Sequence, residues 1–161
     1  MPGEYQEFFD LAALASHHKH EMLLWPFLWE KYDSQRKLRW KNVVFSKHSR
    51  QSVPSRPGVY AFFARPAIAN MNVTYLLYIG RARKSLRSRF GNYLTTEKNP
   101  YKGRPKMATM LHQYGGYLQF RYAVLKSATT VSKMERKLIR AFMPPVNEQV
   151  EAEIRRVIAA F

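Results

Sequence analysis

The sequence predicts an α+β domain: a small three-stranded antiparallel sheet flanked by helices, preceded by an N-terminal helical extension. Three observations predict it. Side chains of strand type mark three separate stretches: alternating faces at 58–63 and 117–125, and a run rich in β-branched and aromatic residues at 73–79. Apolar residues recur at helical spacing in others, at 4–15, 84–94 and 132–142. Prolines and paired glycines fall between these stretches, as at Pro54, Pro57, Gly115–Gly116 and Pro144–Pro145. The 161 residues correspond to about one domain with an appendage. The division expected is 1–50 for the extension and 51–161 for the domain.

Taken in order, Tyr5, Phe8, Phe9, Leu11, Ala12 and Leu14 form one helical stripe, followed by a polar break at Ser16–His20 and an apolar run through Trp29 and Tyr32. Residues 1 to about 45 therefore read as helical, and 47–57 as a loop rich in Ser, Arg and Pro. In the first strand Val59, Ala61 and Phe63 point to one face and Tyr60 and Phe62 to the other. Residues 65–72 form a hairpin loop, and Gly80 ends the second strand. Leu86, Phe90, Tyr93 and Leu94 mark a helix over 84–94, and a basic connector leads to a short helix over 106–114. The third strand places Leu118, Phe120, Tyr122 and Val124 on one face. Ser132 and Glu135 fit a capping box that opens a helix running to about Phe142, where Pro144–Pro145 stops it. A last helix is expected over 150–161.

The formal charge is +16, and its placement narrows the function. Between residues 34 and 134 Glu97 is the sole acid, whereas that stretch holds 20 of the 27 Lys and Arg. Such a cationic stretch attracts a polyanion. The basic residues do not lie on one long amphipathic helix, which argues against a membrane surface. No signal peptide and no apolar run long enough to span a bilayer is visible. The absence of cysteine excludes disulfides, thiolate metal sites and a cysteine nucleophile, and suits a cytoplasmic setting. His17, His18 and His20 read as a solvated break between helices rather than a metal site, and Trp25, Trp29 and Trp40 as core residues rather than base-stacking platforms.

Gly58–Val59–Tyr60 on the first strand and Tyr78–Ile79–Gly80 on the second are followed by Arg89 on a helix, Glu135 on a later helix and Asn147 after two prolines. In that order these residues resemble the GIY-YIG nuclease family, over roughly residues 57–148. Either triplet alone is a weak signal carried by one ordinary strand tyrosine; five elements in sequence are more specific. The spacing of 17 residues between Tyr60 and Tyr78 is longer than in familiar members, which places a lengthened loop at 64–72.

The resemblance implies a phosphodiester hydrolase. Tyr60 would help to deprotonate the attacking water, Tyr78 and Tyr93 would support it, and Arg89 would hold the scissile phosphate. Arg87 is the alternative to Arg89. Glu135 would carry one Mg²⁺ or Mn²⁺ ion, hard cations suited to oxygen ligands, and Asn147 would orient the site. Read from the residues alone, Glu135 is equally a capping residue and Asn147 a turn residue. Arg81, Arg83, Lys84, Arg87, Lys102, Arg104 and Lys106 are the expected nucleic-acid contacts. The expected partner is DNA, with RNA or single-stranded DNA open, and no membrane. A stand-alone restriction-like or mobile-element endonuclease follows, and the other reading is a non-catalytic basic nucleic-acid-binding module that retains the fold.

Overall fold

The computed structural model describes residues 6, 7, 10, 20, 22, 24–33, 37–69 and 71–147. Its elements in chain order are α1 (Pro26–Tyr32), β1 (Lys41–Val44), β2 (Gly58–Ala64), β3 (Ala67–Ile68), β4 (Met71–Asn72), β5 (Tyr75–Ala82), α2 (Leu86–Lys98), α3 (Pro105–Gln113), β6 (Leu118–Val124) and α4 (Ala128–Phe142). Short 3-10 turns cover Lys47–Ser52 and Pro100–Lys102. The helices expected over 4–15 and 150–161 lie outside the described residues, apart from Gln6, Glu7 and Asp10, which are helical. Among the described residues no helix is long and apolar enough to cross a membrane.

The sheet is antiparallel and has the order β1-β6-β2-β5. It therefore contains four strands, not the expected three. The additional strand, β1, comes from the segment expected to be helical. Lys41, Asn42 and Val44 on this edge strand are exposed, so it carries little of the apolar alternation that marks a strand in sequence. Its pairing with β6 joins residues far apart in the chain, such as Val43 with Phe120. Phe45, immediately after it, is buried against Phe62 and Phe90.

The alternation within β2 divides the interior into two layers. Tyr60, Phe62 and Ala64 face one side with Phe90, Phe120, Tyr93 and Leu111, where α2 and α3 close the layer. Val59 and Ala61 face the other side with Ile79, Ala123, Val131 and Leu138, beneath α4. β2 is buried along nearly its whole length because it is central and covered on both faces. Between Phe62 and Phe63 the register with β5 shifts, leaving Leu77 as an extra residue on β5. This bulge turns Leu77 and Tyr78, sequence neighbours, into the same aromatic layer.

β5 does not stop at Gly80 but continues to Ala82, because Gly80 and Ala82 pair with Tyr60 and Gly58 of the central strand. The glycine serves packing instead of termination. A Cβ on residue 80 would lie 2.5 Å from the Tyr60 hydroxyl and ring and 2.7 Å from the Tyr78 ring. The lengthened loop at 64–72 contains its own two-stranded ribbon, with Ala67 paired to Asn72 and Ile68 to Met71. Helix α4 opens at Ala128, earlier than the expected capping box, because the Ser127 side chain accepts from the Thr130 amide. Ser132 then lies inside the helix, where its hydroxyl donates to the Ala128 carbonyl. Met143, in left-handed conformation, ends α4 just before the two prolines.

Gly80→Ala should destabilise the protein by about 1–3 kcal/mol, since the added methyl group meets two rings in a filled layer. Urea denaturation checks this; a midpoint unchanged from that of the unsubstituted protein would refute the packing role of Gly80.

Candidate functional site at the end of the edge strand

Three elements meet where β5 runs out: the end of β5, the first turns of α2, and α4. The Ser85 side chain caps α2 by accepting from the Ser88 amide, which starts the helix immediately after the Arg81–Lys84 basic run. Leu86, Phe90 and Tyr93 are buried at i, i+4 and i+7, so Ser88, Arg89 and Asn92 are carried on the solvent side. Arg81, Arg83, Lys84, Ser88, Arg89 and Asn92 line a cavity of about 360 Å³. A second cavity, of about 480 Å³, shares Arg89 and Asn92 and extends past Tyr93, Lys102 and Arg104. Arg89 stands at the junction of the two.

Arg87 has a different task. Its Nε donates to the Val53 carbonyl at 2.7 Å and its Nη2 to the Gln51 carbonyl at 3.2 Å. The guanidinium thus ties the 47–53 segment to α2. Of the two arginines left open by the sequence, Arg89 is the one presented to the cavities.

Tyr60 is 1 % exposed, and its hydroxyl lies 2.6 Å from that of Tyr93. Across the strand pair Tyr60 faces Gly80, and Tyr78 lies diagonally, with ring centroids 6.3 Å apart. Burial raises the Tyr60 phenol well above its ordinary value, and the neighbouring Tyr93 and Tyr78 add to this; Arg89 pulls the other way. The Tyr93 phenol is also raised, first by burial and with Arg89 again opposing. Arg104 Nη2 donates to the Tyr78 hydroxyl at 3.0 Å. The connector therefore brings Lys102 and Arg104 to the cavity wall; Lys106, at the start of α3, is exposed.

Glu135 belongs to α4 and so to the opposite face of the sheet from Tyr60. Its Oε2 accepts from Arg81 Nη1 at 2.7 Å, with the Glu135 side chain 14 % exposed. The cap of α4 is made by Ser127, so Glu135 is not a capping residue. Burial raises the Glu135 carboxyl above its ordinary value of 4.5, against the lowering influence of Arg81, Arg83 and Arg89. Arg89 therefore acts electrostatically on Tyr60 and Tyr93 from one face and on Glu135 from the other. No signal in the sequence announced the Arg81–Glu135 pair, because it depends on α4 lying across β5.

Asn147 forms a clamp. Its Nδ2 donates to the Ile79 carbonyl at 2.8 Å, and its Oδ1 accepts from the Ile79 amide at 2.9 Å. The Val146 amide donates to the Leu77 carbonyl at 3.0 Å. The chain after α4 thus covers the outer edge of β5 as a further strand would. Asn147 thus fixes the strand that bears Tyr78, Gly80 and Arg81.

Among the described residues no group of three or more His, Cys, Asp or Glu is placed to hold a metal ion. His20 packs its ring against Tyr114, with centroids 5.7 Å apart. The donor set fits a hard cation in one way. Glu135 would be the one carboxylate for it, which suits Mg²⁺, a cation that keeps several waters and binds through one or two carboxylates. Comparison of the chain with protein-family models, with curated proteins and with solved structures finds no match.

Two outcomes follow from this geometry. Asn147→Ala should lower stability by about 1–3 kcal/mol, because it strips a donor and an acceptor from the strand edge, whereas Arg89→Ala should leave the urea midpoint nearly unchanged; equal effects would contradict the assignment. The raised Glu135 value also sets a pH dependence. A folded-state value above the unfolded one means that the stabilising contribution is complete below pH 4.5 and is lost as pH rises through the raised value. Glu135→Gln should flatten the stability profile across that window, as measured by urea midpoints on both sides of it.

Proposed function

We propose that this chain is a divalent-metal-dependent endonuclease of the GIY-YIG kind, hydrolysing phosphodiester bonds of DNA as a stand-alone restriction-like or mobile-element enzyme. One observation carries the reading. Arg89 stands at the junction of two basic cavities, within electrostatic reach of the Tyr60–Tyr93 hydroxyl pair and of Glu135. These are the residue types that phosphodiester hydrolysis needs at one place: a guanidinium for the phosphate, hydroxyls near the attacking water, and a carboxylate for a cation.

In this reading Arg89 binds the scissile phosphate and offsets the charge that grows on its oxygens in the transition state. Arg81, Arg83, Lys84, Lys102 and Arg104 bind the flanking phosphates, and the string of cations along both cavities sets the path of the strand. Tyr93 lines the cavity and Tyr60 lies behind it, so a transient Tyr60 phenolate would take the Tyr93 hydroxyl proton while Tyr93 takes the proton of the attacking water. Burial opposes a lasting phenolate at either tyrosine, and Arg89 reduces that penalty for both. Glu135 would hold Mg²⁺ or Mn²⁺, which when bound supplies a Lewis acid for a phosphate oxygen and the leaving oxygen. A lone carboxylate favours one ion per site over a two-metal clamp.

Two observations favour the other reading, a non-catalytic basic module that binds nucleic acid: Tyr60 is fully buried, and the Glu135 carboxylate is already paired with Arg81. Incubation of plasmid, single-stranded DNA and RNA with Mg²⁺ separates the two. Cleavage of DNA is expected, with Glu135→Ala inactive and Arg89→Ala slowed by roughly a hundredfold or more, the scale of losing one transition-state donor. Arg87→Ala should retain most of the rate and lose stability instead. No cleavage of any substrate, with tight salt-sensitive binding intact, would establish the binding module.

A further inference from the structure

Arg81 has two claims on it that are mutually exclusive. It is the first residue of the basic run lining the smaller cavity, and its Nη1 is 2.7 Å from Glu135 Oε2. A guanidinium paired with a phosphate cannot keep the same geometry with a carboxylate. A dication approaching Glu135 in the free protein also meets an unfavourable field, since Arg81, Arg83 and Arg89 all act on that carboxylate. Among the described residues no group of three or more metal-ligating side chains is placed to offset them.

We propose that Arg81 holds the place of the divalent cation on Glu135, and that nucleic-acid phosphate releases it, so that metal and substrate bind interdependently. The inference rests on the nuclease reading for the identity of the metal, but concerns binding and not turnover. The physical basis is charge exchange. In the free protein the guanidinium of Arg81 offsets part of the cost of burying this carboxylate. When a phosphodiester enters the cavity, its oxygens offer Arg81 a bidentate acceptor equivalent to the carboxylate. The same phosphate negative charge neutralises the field of Arg83 and Arg89. Glu135 then lacks a partner, and a hydrated divalent cation replaces the one it lost. Arg81 is here a positioning residue: it governs when Glu135 is accessible and contacts a phosphate beside the reacting one.

Two consequences distinguish this device from a simple ion pair. Metal affinity rises when nucleic acid is bound, and by linkage nucleic-acid affinity rises by the same factor when metal is bound. Removing the guanidinium also improves metal binding to the free protein, the opposite of what loss of a merely structural residue does.

The experiment uses Mn²⁺ as probe, its binding read by the loss of the free-ion electron paramagnetic resonance signal, with and without a short phosphorothioate DNA duplex that retains the backbone charge. For the unsubstituted protein, affinity for Mn²⁺ should rise at least about fivefold in the presence of the duplex, the lower end of ordinary coupling between sites. Arg81→Gln should bind Mn²⁺ more tightly than the unsubstituted protein in the absence of DNA and show reduced coupling to the duplex. Glu135→Gln should lose the site in both conditions. Equal Mn²⁺ affinity with and without duplex, measured on the unsubstituted protein alone, overturns the proposal even if Arg81→Gln fails to fold. Unchanged or weaker Mn²⁺ binding by a folded Arg81→Gln protein overturns it as well. Cleavage assays decide the nuclease reading separately: linked Mn²⁺ and duplex binding without turnover sustains the inference while removing the enzyme.

Discussion

Tyr60 has room on the central strand because residue 80 has no side chain. The strand opposite brings Gly80 directly across from it, and any Cβ there would lie inside the contact distance of the Tyr60 ring and hydroxyl. Much of the aromatic layer is arranged around this fit. Phe120 stacks on Tyr60 with centroids 4.9 Å apart, and Phe62, Tyr93 and Tyr78 meet it edge-on or tilted. The Tyr60 hydroxyl, once buried, requires a partner, and Tyr93 on α2 supplies it. The hydroxyl pair, together with buried Leu86 and Phe90, holds one face of α2 against the sheet and leaves Arg89 on the exposed side.

The other face of the sheet obeys a charge constraint. Helix α4 is apolar where it covers Val59, Ala61 and Ile79, yet it carries Glu135 at the margin of that contact. The strand end beneath supplies Arg81, so the helix docks with its carboxylate compensated. The chain leaving α4 then turns back at Met143 and is fastened to the edge of β5 by Val146 and Asn147. β5 is thus held on both sides, by β2 and by this return segment. The outer β5 edge is closed to other chains at Leu77 and Ile79, where an edge strand is otherwise open to pairing. The bulge at Leu77 and the return segment coincide in position, so the irregularity of β5 lies where its outer edge is covered.

The two constraints meet at Arg89. The tyrosine layer and Glu135 are separated by the sheet. Arg89, leaving the first turns of α2 beside the strand end, is the cation whose field acts on both. The long cationic stretch of the chain acquires its geometry in this way, as two cavities that share Arg89 and Asn92.

Much of this was legible in the sequence because it depends on local periodicity. The central strand and its two faces, the strand bearing Leu118, Phe120 and Tyr122, the buried stripe of α2 and the end of α4 at the two prolines all follow from alternation, helical spacing or proline stops. The accumulation of positive charge between residues 34 and 134 follows from composition. The tertiary structure decided whatever depends on partners distant in the chain. β1 exists because β6 offers it an edge, not because Lys41–Val44 alternates. Gly80 reads as a strand stop until Tyr60 is seen opposite it. The sequence favours Arg89 over Arg87 without separating them, and the fold separates them because Arg87 reaches the carbonyls of Gln51 and Val53. Glu135, open in the sequence between metal ligand and capping residue, pairs with Arg81 instead of capping, and Asn147, which does close the turn from Pro144, also clamps Ile79. A side chain's role is set by the groups within a few ångströms of it, and at these positions every such group comes from another part of the chain.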